Sequence, residues 1–157
     1  SDVCSSDLTG RKAVNIKADL SSIEPVGRVV EETNAGLGKV DILVNNAGII
    51  RRDDLLQFSE EDWDAVIDTN LKSVFKASKA VLRAMMKART GRLIFISSVV
   101  GLLGSAGQVN YSASKAGLVG AARSLAVSSF TDGKAMWVIR IWLTIRSIIF
   151  CALCRMC

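Results

Sequence analysis

Short apolar runs separated by helical stretches dominate residues 13–133. Apolar and polar residues alternate over residues 13–19, which is typical of a strand. The runs at residues 41–44 and 92–96 are continuously apolar after one charged residue each, and such runs are typical of parallel strands that are buried on both faces. The chain therefore predicts three strands before residue 100.

Apolar residues at three- and four-residue spacing follow each predicted strand. They predict a helix that begins near Pro25, a stretch over 59–85 that is one long helix or two helices joined at a kink, and a helix of small residues over 111–127. Glycines, Gly91 among them, mark the ends of these segments. Strands and helices in this order predict an α/β protein, with a doubly wound parallel sheet and helices on both faces, in three layers.

Polar residues follow the predicted strands at the edge where such sheets bind ligands. Asp19, Asn46 and Ser98 each lie at the carboxyl end of a strand. In open α/β sheets, ligands bind outside the carboxyl ends of the strands. These three residues are therefore candidates for a binding site.

Tyr111 and Lys115 are the strongest candidates for chemistry. They are four residues apart at the start of a helix, so their side chains share one face. A nearby ammonium group stabilises a phenolate, which makes a tyrosine more effective in proton transfer. Ser98 can donate a hydrogen bond to a carbonyl oxygen that gains charge. A tyrosine and lysine at this spacing also occur by chance, and a serine at a strand end is often only a cap.

Composition narrows the possible classes. The chain has 157 residues, of which 50% are hydrophobic and 22% charged, and this composition excludes a disordered protein. It has no histidine, which excludes histidine–metal sites and Ser-His or Cys-His nucleophiles. The net charge of +5 suggests a nucleic-acid or membrane partner, but four of those charges lie in residues 134–157, which contain no acid. Residues 13–133 give no reason to expect a nucleic-acid or membrane partner.

The ordered motifs resemble those of the short-chain dehydrogenase/reductase family. They are Asn45-Asn46-Ala47-Gly48, Asn70, Ile96-Ser97-Ser98 and Tyr111-x-x-x-Lys115, and the resemblance covers residues 13–127. It implies an NAD(P)-dependent oxidoreductase with a Rossmann-like fold, no metal, a homotetrameric state and a cytoplasmic location. The single cysteine before residue 134 also fits a reducing compartment.

The resemblance also implies roles for individual residues. Tyr111 would be the general acid/base and Ser98 would position the substrate carbonyl. Lys115 would stabilise the phenolate and hold the nicotinamide ribose, and Asn70 would hold a water of a proton relay. The cofactor would further contact Asp19 and Leu20 beside the adenine, and Asn46, Ala47 and Gly48. Asn46–Gly48 is equally typical of a turn that ends a strand, and Asn70 of a polar residue at a helix kink.

Two groups within the family compete for the substrate. Residues 80–111 resemble 3-oxoacyl-acyl-carrier-protein reductases, which use NADPH in fatty acid synthesis. Arg89 matches a basic position that meets the acidic carrier protein there, and it is equally typical of a solvated arginine at a helix end. Residues 48–64 are more similar to NAD-dependent 2-deoxy-D-gluconate 3-dehydrogenases. There the pair Arg51-Arg52 would bind a substrate carboxylate or stand in a solvated loop. We favour the first group because its match surrounds Tyr111.

Both ends of the chain depart from the family. The sequence contains no Thr-Gly-x-x-x-Gly-x-Gly motif. Residues 1–12 have no family counterpart, and they lack the apolar core of a signal peptide. We therefore expect residues 13–133 to be a partial Rossmann-like catalytic domain. It would lack the first βαβ unit and the C-terminal strands, and the chain would be inactive alone.

Residues 134–157 form a hydrophobic, basic tail with several interpretations. Arg140 and Arg146 would be costly within a membrane-spanning helix, and Cys151, Cys154 and Cys157 lack a fourth metal ligand in the tail. The tail could also form a helix that binds a membrane surface or a nucleic acid, in which case the chain would be a non-catalytic binding protein. We expect instead a shift of reading frame after about Val127, which accounts for the abrupt change of composition.

Overall fold

The described part of the chain is an α/β unit. The computed structural model describes residues 12–20, 25–129 and 138–142. Its elements, in order, are α1 (Pro25–Leu37), β1 (Ile42–Asn45), α2 (Glu60–Ile67), a π-helical turn (Asp68–Lys72), α3 (Ser73–Ala88), β2 (Arg92–Ser98), α4 (Val100–Leu103), α5 (Val109–Ser129) and β3 (Val138–Trp142).

The described strands form one parallel sheet in the order β1-β2-β3. β1 is in register with the first half of β2, from Ile42 opposite Arg92 to Asn45 opposite Phe95. Helices connect β1 to β2, as a parallel pair requires. The predicted α/β class with an open parallel sheet is confirmed.

The core lies between the sheet and the helices on one of its faces. Leu93 and Phe95 of β2 are each 1% exposed and contact apolar residues of α3 and α5. Burying such a side chain contributes about 1.5–3 kcal/mol. The cluster consists of Val74, Val81, Met85, Leu93, Phe95, Leu118 and Ala122. This packing fixes α5 against β2.

The opposite face of β1 is open in the described residues. Ile42 and Val44 are 54% and 53% exposed, whereas Leu43 and Asn45 on the other face are covered. The prediction that residues 41–44 are buried on both faces is therefore wrong for this structure. Burial of the second face requires another layer of helices, and the described helices supply only one.

The predicted strand at residues 13–19 is also absent. These residues have no regular secondary structure and pair with none of the described strands, and they run along α1 instead. The Arg28 guanidinium donates to the carbonyl oxygen of Lys17 at 2.8 Å, and Val14 lies against Gly36. An alternating pattern forms a strand only where a neighbouring strand offers its backbone, and no described strand pairs with residues 13–19.

The long helical stretch after Ser59 forms with an irregular centre. The Ser59 hydroxyl caps α2 by accepting from the Asp62 amide at 3.1 Å. The π-helical turn then joins α2 to α3 without a break. α3 ends at Ala88 because Arg89 adopts a left-handed conformation (φ 51°), so the stop comes before the predicted Gly91.

Residues 138–142 form a strand within the predicted tail. β3 pairs with the second half of β2, from Val138 opposite Ile94 to Trp142 opposite Ser98. The structure thus places one strand within the predicted tail, and the domain boundary at residue 133 stays a prediction. Residues rich in β-branched types complete the backbone hydrogen bonds of β2, whose other edge β1 covers only in part. The cysteines at positions 151, 154 and 157 lie outside the described residues.

Candidate active site

Lys115 lies at the centre of the candidate site. Its side chain is 4% exposed, and its ammonium donates to the carbonyl oxygen of Ile96 at 2.8 Å. The ammonium nitrogen lies 5.7 Å from the centroid of the Tyr111 ring. Burial lowers the pKa of Lys115 from its ordinary value, because a charged amine loses hydration in the interior. The predicted pair of Tyr111 and Lys115 is thus brought together in space.

Hydrogen bonds hold the backbone of Tyr111 on both sides. Its amide donates to the Asn110 side-chain oxygen at 2.6 Å, and its carbonyl oxygen accepts from the Ser114 hydroxyl at 2.8 Å. These bonds lie in the first turns of α5, where helix amides have no partner within the helix. They fix the segment that carries the phenol.

Asn70 joins three segments from within the π-helical turn. Its side-chain amide donates to the Ile49 carbonyl oxygen at 2.9 Å and to the Ser114 hydroxyl at 3.2 Å. Its side-chain oxygen accepts from the Ile49 amide at 2.8 Å. Asn70 is fully buried. It is therefore the polar residue at a helix irregularity that the sequence predicts, and π-helical turns often occur at functional sites.

The Asn46-Ala47-Gly48 segment approaches this network at Gly48. A Cβ atom on Gly48 would lie 3.1 Å from the Asn70 side-chain oxygen and 3.7 Å from the Lys115 ammonium nitrogen. The backbone after β1 therefore lies beside the lysine, while Asn46 and Ala47 are exposed. Glycine permits this close approach because it has no Cβ.

Ser98 ends β2 two residues after the carbonyl that binds Lys115. Its hydroxyl accepts from the Val100 amide at 3.3 Å, so it also acts as the predicted cap. A serine hydroxyl keeps its own proton to donate while it accepts. Ser98 can therefore still donate to a substrate oxygen.

Three residues that hold the site were not predicted as site residues. Ser97 donates its hydroxyl to the Lys115 carbonyl oxygen at 2.7 Å. A Cβ on Gly101 would lie 2.7 Å from the Lys115 carbonyl carbon, so α5 contacts the α4 turn directly. Asn110 is fully buried beside Tyr111. Only the polar character of Ser97 and Asn110 within an apolar pattern could have indicated these roles.

The remaining candidates lie on the periphery. Asp19 and Leu20 end the segment that runs along α1. Arg89 is exposed and forms the left-handed C-cap of α3. Arg51 pairs with the Asp62 carboxylate at 3.3 Å, which engages one member of the predicted carboxylate-binding pair.

Lys115 and Gly48 together fit a nucleotide ribose. The ammonium carries three N–H donors, and the described residues supply one acceptor, the Ile96 carbonyl oxygen. The remaining donors match ribose hydroxyls, and the bare backbone at Gly48 leaves room beside them. Within residues 12–20 and 25–129, no three His, Cys, Asp or Glu side chains group closely enough to hold a metal ion.

The fold and this constellation define a class, and comparison with known proteins agrees with it. The profile of the short-chain dehydrogenase family matches residues 3–141, so the chain belongs to the short-chain dehydrogenase family. The chain is similar to the 3-oxoacyl-acyl-carrier-protein reductase of Salmonella typhimurium, with 50% identity over 121 residues, 77% of this chain and 50% of that protein.

Two further relatives carry the same name. The protein of Escherichia coli K12 is 50% identical over 121 residues, again 77% of this chain and 50% of its own length. The protein of Chlamydia muridarum is 48% identical over 120 residues, 76% of this chain and 48% of its own length. The chain thus spans about half the length of these curated relatives.

No helix in the described part of the chain is long and apolar enough to cross a membrane.

Proposed function

We propose that this chain serves the NADPH-dependent reduction of a 3-oxoacyl thioester, carried on acyl carrier protein, to the 3-hydroxyacyl form in fatty acid synthesis. The observation that carries the proposal is the buried Lys115 ammonium 5.7 Å from the Tyr111 ring, with the Tyr111 backbone linked through Ser114 to Asn70. The names of the relatives support the substrate class.

Each side chain of the site has a separate role at the substrate carbonyl. The nicotinamide, when bound, supplies the hydride. Tyr111 donates a proton to the carbonyl oxygen, and Ser98 donates a hydrogen bond to the same oxygen. Lys115 holds the ribose and stabilises the phenolate that remains. Asn70 holds Ile49 and Ser114 in place beside the tyrosine and would hold the water of a proton relay.

Charged residues at the surface favour the carrier-protein substrate over a sugar acid. Arg89 is exposed and free to meet an acidic partner. Arg51 is already paired with Asp62, which weakens the case for an arginine pair that clamps a small carboxylate. We further propose a cytoplasmic homotetramer, and cofactor contacts from Asp19, Leu20 and the 46–48 segment.

The 157 residues alone are proposed to be inactive. Their sequence contains no Thr-Gly-x-x-x-Gly-x-Gly pattern, the motif that would hold the dinucleotide phosphates. Incubation of the chain with NADPH and acetoacetyl thioester tests this directly, since turnover at a rate normal for the family would contradict it.

A chimera tests the function itself. Residues 13–127 replace the matching segment of the Salmonella typhimurium reductase, which is 50% identical over the match. We expect the chimera to oxidise NADPH with acetoacetyl thioester and to leave 2-deoxy-D-gluconate with NAD unchanged. The reverse preference would overturn the proposed substrate class and favour the sugar-acid enzyme.

A further inference from the structure

Asn110 is a buried amide that links the starts of two helices. Its side-chain NH2 donates to the Asp62 carbonyl oxygen in the first turn of α2 at 3.2 Å. Its side-chain oxygen accepts from the Tyr111 amide at 2.6 Å. Asn110 is 0% exposed, so water does not compete for these bonds. Both polar ends of one side chain are therefore used at once.

The α2 side of this link is itself held in place. The Asp62 amide donates to the capping hydroxyl of Ser59, and the Asp62 carboxylate pairs with Arg51. The Asp62 carbonyl oxygen thus belongs to a fixed helix start, and Asn110 connects that fixed point to the residue carrying the phenol. Ser114 holds the other side of Tyr111 through its carbonyl oxygen.

We propose that Asn110 is a positioning residue that sets the place of the Tyr111 phenol by joining the first turn of α5 to α2. Its importance for catalysis rests on the proposed function, while its effect on the ring position does not. A displacement of about 1 Å at a reacting group can cost a hundredfold in rate. Loss of the link releases the first turn of α5 from α2, so the Tyr111 ring should move away from Lys115 while the chain stays folded.

Asn110→Asp is the decisive variant. It keeps the size of the side chain and the oxygen that accepts from Tyr111, but an ionised carboxylate cannot donate to the Asp62 carbonyl oxygen. Gln108→Glu is the matched control, because it makes the same chemical change in a buried residue two positions earlier. The Gln108 side chain donates to the Ser105 hydroxyl and not to α2.

The single tyrosine of the sequence gives a clean readout in the 157-residue chain. Labelling tyrosine rings with 13C yields one set of ring signals, that of Tyr111. We expect the nuclear Overhauser effect between this ring and the Lys115 ε-methylene to fall at least about threefold in Asn110→Asp and to stay unchanged in Gln108→Glu. An unchanged effect in folded Asn110→Asp overturns the proposal.

A second variant and an activity assay complete the test. The serine side chain in Asn110→Ser is uncharged and too short to reach α2. If Asn110→Asp does not fold, we expect the same fall of the nuclear Overhauser effect in Asn110→Ser. In the active chimera, Asn110→Asp should lower kcat about tenfold to a hundredfold and leave KM within about twofold. A displaced ring with kcat unchanged would contradict the role of Tyr111 in the reaction, whereas an undisplaced ring would contradict the role of Asn110.

Discussion

Asn70 shows how much of the site depends on single side chains. One buried amide satisfies both backbone groups of Ile49 and also reaches the Ser114 hydroxyl, which holds Tyr111. A π-helical turn places Asn70 where three segments meet. At the residue scale the site is therefore a hydrogen-bonded network, in which each loss leaves a buried partner unsatisfied.

Asn70→Ala should destabilise the chain strongly. It removes the partners of two backbone groups of half-buried Ile49, and leaving such polar groups without partners costs about 1–3 kcal/mol. Urea denaturation measures the change, with Asn34→Ala as the control because Asn34 is exposed in α1. A cost for Asn70→Ala no larger than that of the control would contradict the network.

Lys115 should give the stability of the chain a distinct pH dependence. Burial lowers its pKa from the ordinary value of 10.5, so the folded state releases the proton at a lower pH than the unfolded state does. Below the lowered pKa the cost of burying the charge is fully present. As pH rises from there toward 10.5 the cost is relieved, because the unfolded state then binds more protons than the folded state.

Lys115→Met removes this titration. The free energy of unfolding of the unmodified chain, minus that of the variant, should therefore rise with pH in the window below 10.5. Urea denaturation of both proteins at several pH values checks the sign. A difference that is constant or falls across the window would show that the charge of Lys115 is not buried.

At the scale of elements, the contact between α4 and α5 fixes the position of Lys115. Gly101 lies directly against the backbone of α5 at Lys115 and Ala116, and Ser97 bonds to the same turn. Packing between backbones leaves no side chain that can move aside. The lysine is therefore positioned by how closely two helices approach.

Gly101→Ala and Gly120→Ala should have opposite effects. A Cβ at position 101 would lie 2.7 Å and 2.8 Å from atoms of the α5 backbone, and such overpacking costs about 1–3 kcal/mol. Gly120 also lies in α5 but has no atom within 4 Å of a built Cβ, so alanine there should stabilise the helix by about 0.5–1 kcal/mol. Thermal unfolding measures both, and equal effects would contradict the close contact.

For the whole molecule, β3 brings part of the predicted tail into the sheet. Residues 138–142 pair with the half of β2 that ends at Ser98. β3 thus supports the carboxyl end of β2 on one edge, while β1 pairs with the first half of β2 on the other edge. The end of β2 carries Ser98 and the carbonyl of Ile96 that binds Lys115.

Removal of β3 should destabilise the carboxyl end of β2, although β3 itself lies outside the site. A chain that ends at Gly133 leaves the β2 amides facing β3 without partners, so their protection against hydrogen exchange should fall at least about tenfold. A chain that ends at Trp142 is the control and should keep this protection. Equal exchange at β2 in the two chains would show that β3 does not pair.

Elements that are set by local interactions can be predicted from the sequence, whereas elements that need a distant partner cannot. β2, α5 and the long helix after Ser59 are set by local periodicity and capping, and the sequence predicts them. The structure of residues 13–19 and 138–142 depends on whether a neighbouring strand is available, which a local pattern does not contain. The strand predicted at residues 13–19 is therefore wrong, and the strand at residues 138–142 is not predicted. Asn110 was missed for the same reason, because its partner is 48 residues away.

Replacement of Tyr111 by phenylalanine tests the account most directly. In the chimera that carries residues 13–127, Tyr111→Phe removes one oxygen atom and, with it, the proposed proton donor. The control is Ser112→Ala, because the neighbouring hydroxyl is buried and bonds to no group in the described residues. NADPH oxidation with acetoacetyl thioester should fall about 10²- to 10⁴-fold in Tyr111→Phe and stay within about twofold in Ser112→Ala. Retention of more than about a tenth of the rate by Tyr111→Phe would contradict general acid catalysis by this residue.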